Sequence, residues 1–299
     1  MIDRDEPRPP TTVAAALERA TTRLEGSGVE EPRLNAELLL SCLLGCDRGG
    51  LFVRRPDILA EDVLGPFESA VVRRANREPL QYITGFQEFH GVDIAVDSRV
   101  LIPRPETEGL VDAVLSLELP GEARVLDLGT GSGCIPIALG VKRPGWRLSA
   151  LEASADTRAA AESNVARVDR DHPGLLKRVE VVGGDFARPP AEWRGAFDAV
   201  VSNPPYVTEL EWHGLEPEVR DWEPKQALVP GPSGLEAYEA LIPAAARLLR
   251  PGGFLLLEIG YGQADPVRKI ATEAGYEEIA VQDDLRGIPR VVIARSPAA

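Results

Sequence analysis

The sequence predicts an α/β fold: a doubly wound, mostly parallel sheet, preceded by a small helical bundle and a β-hairpin. Three observations carry that prediction. Short apolar runs recur at 123–128, 147–151, 179–182, 197–201, 253–259, 279–281 and 290–294, which gives seven candidate strands. Helical patterning separates most of them, notably at 155–168, 234–249 and 264–275. Alternation of this kind is the mark of a mostly parallel sheet with helices on both faces. Residues 1–78, by contrast, carry helical periodicity with no strand pattern between.

The elements follow in order. Thr11 and Thr12 can cap a first helix through Val13, Ala16, Leu17, Ala20 and Leu24, with Gly26 and Gly28 to stop it. A second starts at Pro32, with Leu34, Leu38, Leu39, Cys42 and Leu43 at helical spacing, and a third covers 61–77. The stretch 86–96 alternates apolar and polar residues around Gly91 and reads as a hairpin. Helical patterning resumes after Pro105 through Leu110, Val111, Val114 and Leu115. The expected division is a helical domain over 1–85, a hairpin linker over 86–100 and the α/β domain over 101–299.

Composition narrows the function. At 44% hydrophobic and 27% charged the chain can bury a real core. Basic residues number 33 and acidic ones 47, a formal net charge of −14. Enzymes that grip nucleic acid through phosphates carry a basic face, so this balance counts against a DNA or RNA substrate. The start, Met1-Ile2-Asp3-Arg4-Asp5, lacks the pattern of a signal peptide, and no apolar run approaches the ~18 residues of a membrane helix. A cytoplasmic setting without membrane contact is expected. Cys42 and Cys46 read as buried small hydrophobes, and the scattered His90, His172 and His213 give no metal spacing.

Chemistry concentrates at the ends of the candidate strands, where sheets of this kind bind ligands. The first runs through Asp127 into Gly129-Thr130-Gly131-Ser132-Gly133, directly before a helix. Cys134 stands where a dinucleotide fingerprint needs its last glycine. The loop resembles that of S-adenosylmethionine-dependent methyltransferases instead. Glu152 ends the next strand, twenty-one residues past Gly131, where a carboxylate can accept from ribose hydroxyls. Asp185 ends the third and can accept from an adenine amino group, with Phe186 beside the ring.

The fourth strand leads into Asn203-Pro204-Pro205-Tyr206. Amide and aromatic amino nitrogens are poor nucleophiles, so an enzyme that methylates one must chiefly aim it. The Asn203 side-chain oxygen and the Pro204 carbonyl can each accept one N–H of an NH₂ group, an oxyanion hole with the polarity inverted. Such positioning supplies up to ~7–11 kcal/mol of a barrier. The two prolines restrict Asn203 and Pro204 to extended backbone, and Tyr206 offers a flat face to a planar amide.

From about residue 10 to the end the chain resembles the HemK/PrmC family of release factor glutamine methyltransferases. The likeness rests on that tetrapeptide and on Pro79-Leu80-Gln81-Tyr82-Ile83-Thr84-Gly85, Phe89-His90-Gly91 and Leu101-Ile102-Pro103-Arg104-Pro105-Glu106-Thr107-Glu108. It continues through Glu223-Pro224, Ala227-Leu228, Gly252-Gly253-Phe254 and Gly287-Ile288-Pro289-Arg290. The resemblance implies a seven-stranded class I methyltransferase sheet and S-adenosyl-L-methionine as methyl donor. The implied substrate is the Gly-Gly-Gln glutamine of class 1 peptide-chain release factors. It implies that Gly129, Thr130, Gly131, Ser132, Gly133, Glu152, Phe186 and Asn203 meet the cofactor, to which the strand-end position adds Asp185. Asn203, Pro204, Pro205 and Tyr206 would hold the glutamine, and the helical domain would grip the release factor. Glu152 departs from the family's usual Asp, and Phe186-Ala187 from its usual pair.

Three other functions compete with this one. The related ribosomal-protein glutamine methyltransferases carry Pro-Arg-Ser-Pro where this chain has Pro103-Arg104-Pro105-Glu106. A nucleic-acid amino-methyltransferase shares the chemistry but not the acidic balance. A non-catalytic nucleotide-binding protein has no need of the Asn203 tetrapeptide.

Overall fold

The computed structural model describes residues 11–298, so the N-terminal stretch read for a signal peptide lies outside the described residues. The chain divides into two units: residues up to Gly85 with Pro217–Trp222, and Phe86–Glu216 with the chain from Glu223 onward. The hairpin expected as a linker thus belongs to the second unit, and a short segment some 130 residues downstream of Gly85 belongs to the first. No described helix is long and apolar enough to cross a membrane.

The first unit is helical. Helices Val13–Gly26, Pro32–Leu44 and Glu61–Ala75 match the expected three, and the short turns Arg48–Val53 and Leu80–Thr84 add to them. Thr12 caps the first, its hydroxyl accepting the Ala15 N–H at 3.2 Å. Leu17, Leu24, Leu39, Leu40, Leu51 and Phe67 fill the core. Full burial along the second helix ends at Ser41; in its last turn Leu44 still packs against the core, while Cys42 and Leu43 face solvent. Cys42 is therefore exposed, and Cys46 half-buried, rather than both lying in the core.

A charged clamp accounts for the returning segment. Arg74, 7% exposed, donates from Nε to Asn35 Oδ1 and from Nη1 to the Glu78 carbonyl. Its Nη2 donates to Glu218 Oε1 at 2.8 Å. Arg77 donates to both Glu218 oxygens, at 2.7 and 2.6 Å. Burial pushes the Glu218 carboxyl up, but hydrogen bonds from Arg77, the local backbone and Arg74 outweigh it and leave the group below its ordinary range.

In the second unit, strands β1 (Phe86–Phe89) and β2 (Val92–Ala95) form the expected antiparallel hairpin. Its turn puts His90 and Gly91 at φ of 53° and 82°, the two positive values a tight hairpin turn requires. The His90 N–H donates to Glu108 Oε1 at 2.9 Å, so two of the sequence motifs meet at one junction. Asn164 holds the other end, donating to the Ala95 carbonyl and accepting its N–H, each at 2.9 Å.

All seven expected runs form one sheet: β3 (Arg124–Leu128), β4 (Arg147–Glu152), β5 (Val179–Gly183), β6 (Phe197–Ser202), β7 (Leu249–Glu258), β8 (Glu277–Asp283) and β9 (Pro289–Arg295). Their order is β5-β4-β3-β6-β7-β9-β8, parallel except for β9, which runs antiparallel to both neighbours. Every residue of β6 is buried, as a strand covered on both faces must be. The chain first builds outward from β3 through β4 to β5, then resumes on β3's other side with β6. That reversal leaves a crevice beyond the carboxyl ends of β3 and β6.

Glu218→Gln should cost the folded state roughly 2–4 kcal/mol at neutral pH, because two guanidiniums, one of them buried, lose their shared counter-ion. Glu218 has a lowered pKa, so its contribution exists above the unfolded value near 4.5 and fades as pH falls below it. Melting curves should show the gap between variant and parent closing in acid. A gap of equal size at every pH would refute the clamp.

Candidate active site

The crevice is a cleft lined by Gly129, Thr130, Gly131 and Ser132 on one side and by Asn203 and Pro205 on another, with Thr107, Glu152, Gly184 and Phe186 between. Gly129 and Gly131 sit at φ of 76° and 57°, and a Cβ at either meets nothing within 4 Å. Glycine is therefore required by the backbone turn, and the turn leaves bare peptide facing the cleft. Gly133 has φ of 81° and starts the helix Cys134–Lys142, close to Ala161, and is not among the lining residues.

The loop is pinned from the next strand. Gly129 and Thr130 N–H groups donate to the Leu151 carbonyl at 2.9 and 3.1 Å. Glu152 accepts from the Gly131 N–H through Oε2 and from the Ser154 N–H through Oε1, each at 3.0 Å. A carboxylate has about four acceptor positions, so roughly half of Glu152's capacity stays open to the cleft. Asp185 is exposed and accepts from the Ala187 N–H at 2.9 Å; Gly184 and Phe186, not Asp185, line the cleft.

Beneath the loop lies Asp127, 2% exposed. Burial lifts its carboxyl to about 7; the nearby Thr130 hydroxyl opposes the rise and the Glu152 charge adds to it. Neither Asp127 oxygen, nor Thr130 Oγ1, nor Ser132 Oγ, meets a protein partner in hydrogen-bonding geometry. Such groups are costly unless a ligand or solvent engages them. Cys134 is inert by comparison: burial raises its thiol to about 12.

Across the cleft, the Asn203 amide donates from Nδ2 to Thr107 Oγ1 at 3.0 Å. Thr107 in turn donates to Glu258 Oε2 at 2.7 Å. Glu258 ends β7, is 1% exposed, and is raised to about 7 by burial, against the pull of Thr107, Arg290 and Tyr206. Tyr206 turns its hydroxyl to Glu258 Oε1 at 3.4 Å. Gln263 Nε2 donates to the Tyr206 carbonyl at 3.1 Å, and the ring lies so close to Gly260 that a Cβ there would come within 2.9 Å of it. Of the tetrapeptide, Asn203 and Pro205 line the cleft; Pro204 is buried and Tyr206 turns to Glu258.

Strand-end position singles out Glu152 and Asp185 from sequence, and Glu258 at the end of β7 obeys the same rule; Thr107 and Glu223 carry no such signal. Glu223, buried, accepts from the Ile102 N–H at 3.1 Å and pairs with Arg104. That joins 101–104 to 224–227, two stretches of cleft wall that no sequence spacing connects.

Residues 15–85 match the family described as PrmC N-terminal domain, and 108–215 match the methyltransferase small domain. The chain is 42% identical to a release factor glutamine methyltransferase of Koribacter versatilis, over 96% of this chain and 100% of that protein. It is 41% identical to one from Geobacter sulfurreducens, over 95% and 96%. Among solved structures it is similar in fold to the hMettl16 catalytic domain, with a TM-score of 0.55 and 18% identity over 78% of this chain and 81% of that one.

Asp127 yields a pH prediction. Its folded pKa lies above the unfolded value of 3.8, so the neutral form is favoured inside. The stability this gives is present below that value and lost as pH climbs to about 7. Asp127→Asn never ionises, so its melting midpoint should gain on the parent's between about pH 4 and 7.5. Midpoints that run parallel across that range would show that Asp127 does not titrate there.

Proposed function

We propose that this chain, which belongs to the release factor glutamine methyltransferase family, transfers a methyl group from S-adenosyl-L-methionine to a glutamine of class 1 peptide-chain release factors. The acceptor is the side-chain amide nitrogen of the Gly-Gly-Gln motif, and the setting is the cytoplasm, where translation terminates. The observation that carries this reading is the shared cleft: Asn203 and Pro205 line the space that Gly129, Thr130, Gly131, Ser132, Glu152 and Phe186 also line.

These residues suit the methyl donor. Thr130 and Ser132, whose hydroxyls meet no protein partner, line the cleft and suit its polar amino-acid end. Glu152 keeps acceptor capacity for ribose hydroxyls, and Phe186 and Gly184 offer a wall to the adenine ring. Gly133 contributes by starting the helix that follows the loop. When bound, S-adenosyl-L-methionine supplies a methyl group made electrophilic by its sulfonium sulfur.

The chain's own task is aim. Asn203 Oδ1 and the Pro204 carbonyl accept the two N–H bonds of the glutamine amide, which fixes the nitrogen and steadies positive charge growing on it. Pro205, which lines the cleft, bounds the plane of the amide. The helical unit, which carries no reacting group of this kind, supplies affinity for the release factor beyond the loop; one glutamine alone offers too few contacts for selection.

Purified release factor incubated with the protein and S-adenosyl-L-methionine should gain one methyl, located by peptide mass spectrometry on the Gly-Gly-Gln glutamine. Calorimetry should show saturable binding of the methyl donor and none of NAD. Asn203→Ala should melt normally yet lower single-turnover transfer by ~10²–10³-fold, as loss of one preorganised partner does. Transfer by that variant within a few-fold of the parent removes Asn203 from the mechanism.

A further inference from the structure

A primary amide has nearly the same shape either way round, and only one orientation serves the chemistry above. If Asn203 turned its NH₂ to the cleft, two donors would face each other across the glutamine nitrogen. Something in the protein must distinguish the two ends, and the hydrogen-bond inventory behind Asn203 does so.

Burial brings the Glu258 carboxyl to about 7, so above that pH it is ionised and can only accept. The Thr107 hydroxyl has one proton, and it lies on the 2.7 Å bond to Glu258 Oε2. What Thr107 has left is lone pairs. Its other neighbour, Asn203 at 3.0 Å, must therefore present N–H rather than oxygen. Oδ1 is left for the cleft. Thr107 is 2% exposed and Glu258 1%, so water cannot easily stand in for either. Their placement comes from far apart in sequence: Thr107 lies in the first turn of the helix Pro105–Ser116 and Glu258 ends β7.

We propose that Thr107 and Glu258 are positioning residues that set which end of the Asn203 amide faces the methyl-transfer cleft. The inference rests on the methyltransferase reading for its functional meaning, though not for its geometry. Neither residue touches the reacting atoms; each acts through Asn203.

The test uses the full chain with intact release factor. Thr107→Val keeps the shape and removes the hydroxyl, and should lower single-turnover transfer by roughly 10²-fold at saturating cofactor and release factor. Cofactor affinity should stay within about threefold, because the lost function is orientation. Thr107→Ser restores the hydroxyl and should recover most of the loss. Transfer by Thr107→Val within threefold of the parent overturns the proposal. So does an equal loss in Thr107→Val and Thr107→Ser, which would assign the effect to the methyl group's packing.

A measurement on the parent protein keeps the question decidable if the valine variant does not fold. In NMR spectra of the ¹⁵N-labelled chain, the Asn203 NH₂ signal, identified by its loss in Asn203→Asp, should show cross-peaks to the Thr107 methyl. Its absence from that neighbourhood overturns the orientation. Failure of the parent to methylate release factor would sink the proposed function instead, and the NMR result would still decide the geometry.

Discussion

Ser202 Oγ donates to the Leu128 carbonyl at 2.5 Å, joining the last residues of two strands seventy-four positions apart. Parallel strands point all their carboxyl ends the same way, and a sheet that keeps growing on one side would space those ends evenly. Here the order reverses, so the loop leaving β3 and the loop leaving β6 diverge from a common line. The glycine turn goes one way and Asn203 the other. Ser202, fully buried, locks the two loops at the point where they part. Neither loop alone would make a cleft.

The same arrangement sorts the buried acids by what meets them. Glu223 is buried, but Arg104 sits against it and the Ile102 amide adds a second donor. Its role is structural, tying two stretches of wall. Glu258 has hydroxyls in place of a cation within hydrogen-bonding reach, and its carboxyl rises to about 7. Asp127 has neither and rises as far. A protein built only for rigidity would replace such groups with apolar side chains of similar volume at little loss. Asp127 and Glu258 sit near the ends of β3 and β7, the two strands that flank β6, behind the residues that line the cleft.

Much of this was legible in the sequence, for a physical reason. Strand residues declare themselves by local apolar runs, and all seven runs pair in the sheet. The glycine loop and Asn203-Pro204-Pro205-Tyr206 are likewise local, because backbone conformation is set by neighbours. Relations between side chains remote in sequence left no such trace. Thr107 was visible as part of Pro105-Glu106-Thr107-Glu108 but its partner lies 151 residues on. Cys42 had helical spacing with apolar neighbours, yet periodicity does not say where along a helix burial stops. Asp185, read as a cleft residue from its strand-end position, engages its own turn because that loop bends back on Ala187.

Glu218 has a further meaning for the chain as it is made. The helices that carry Arg74 and Arg77 are complete by residue 85, but their counter-ion is 141 positions beyond Arg77. At ribosomal speeds of about 5–20 residues per second, that interval lasts roughly 7–28 seconds. Throughout it the two guanidiniums of the nascent bundle, one of them destined for burial, lack their shared carboxylate. The N-terminal unit therefore reaches its final stability only once Glu218 has arrived, after most of the chain has been translated.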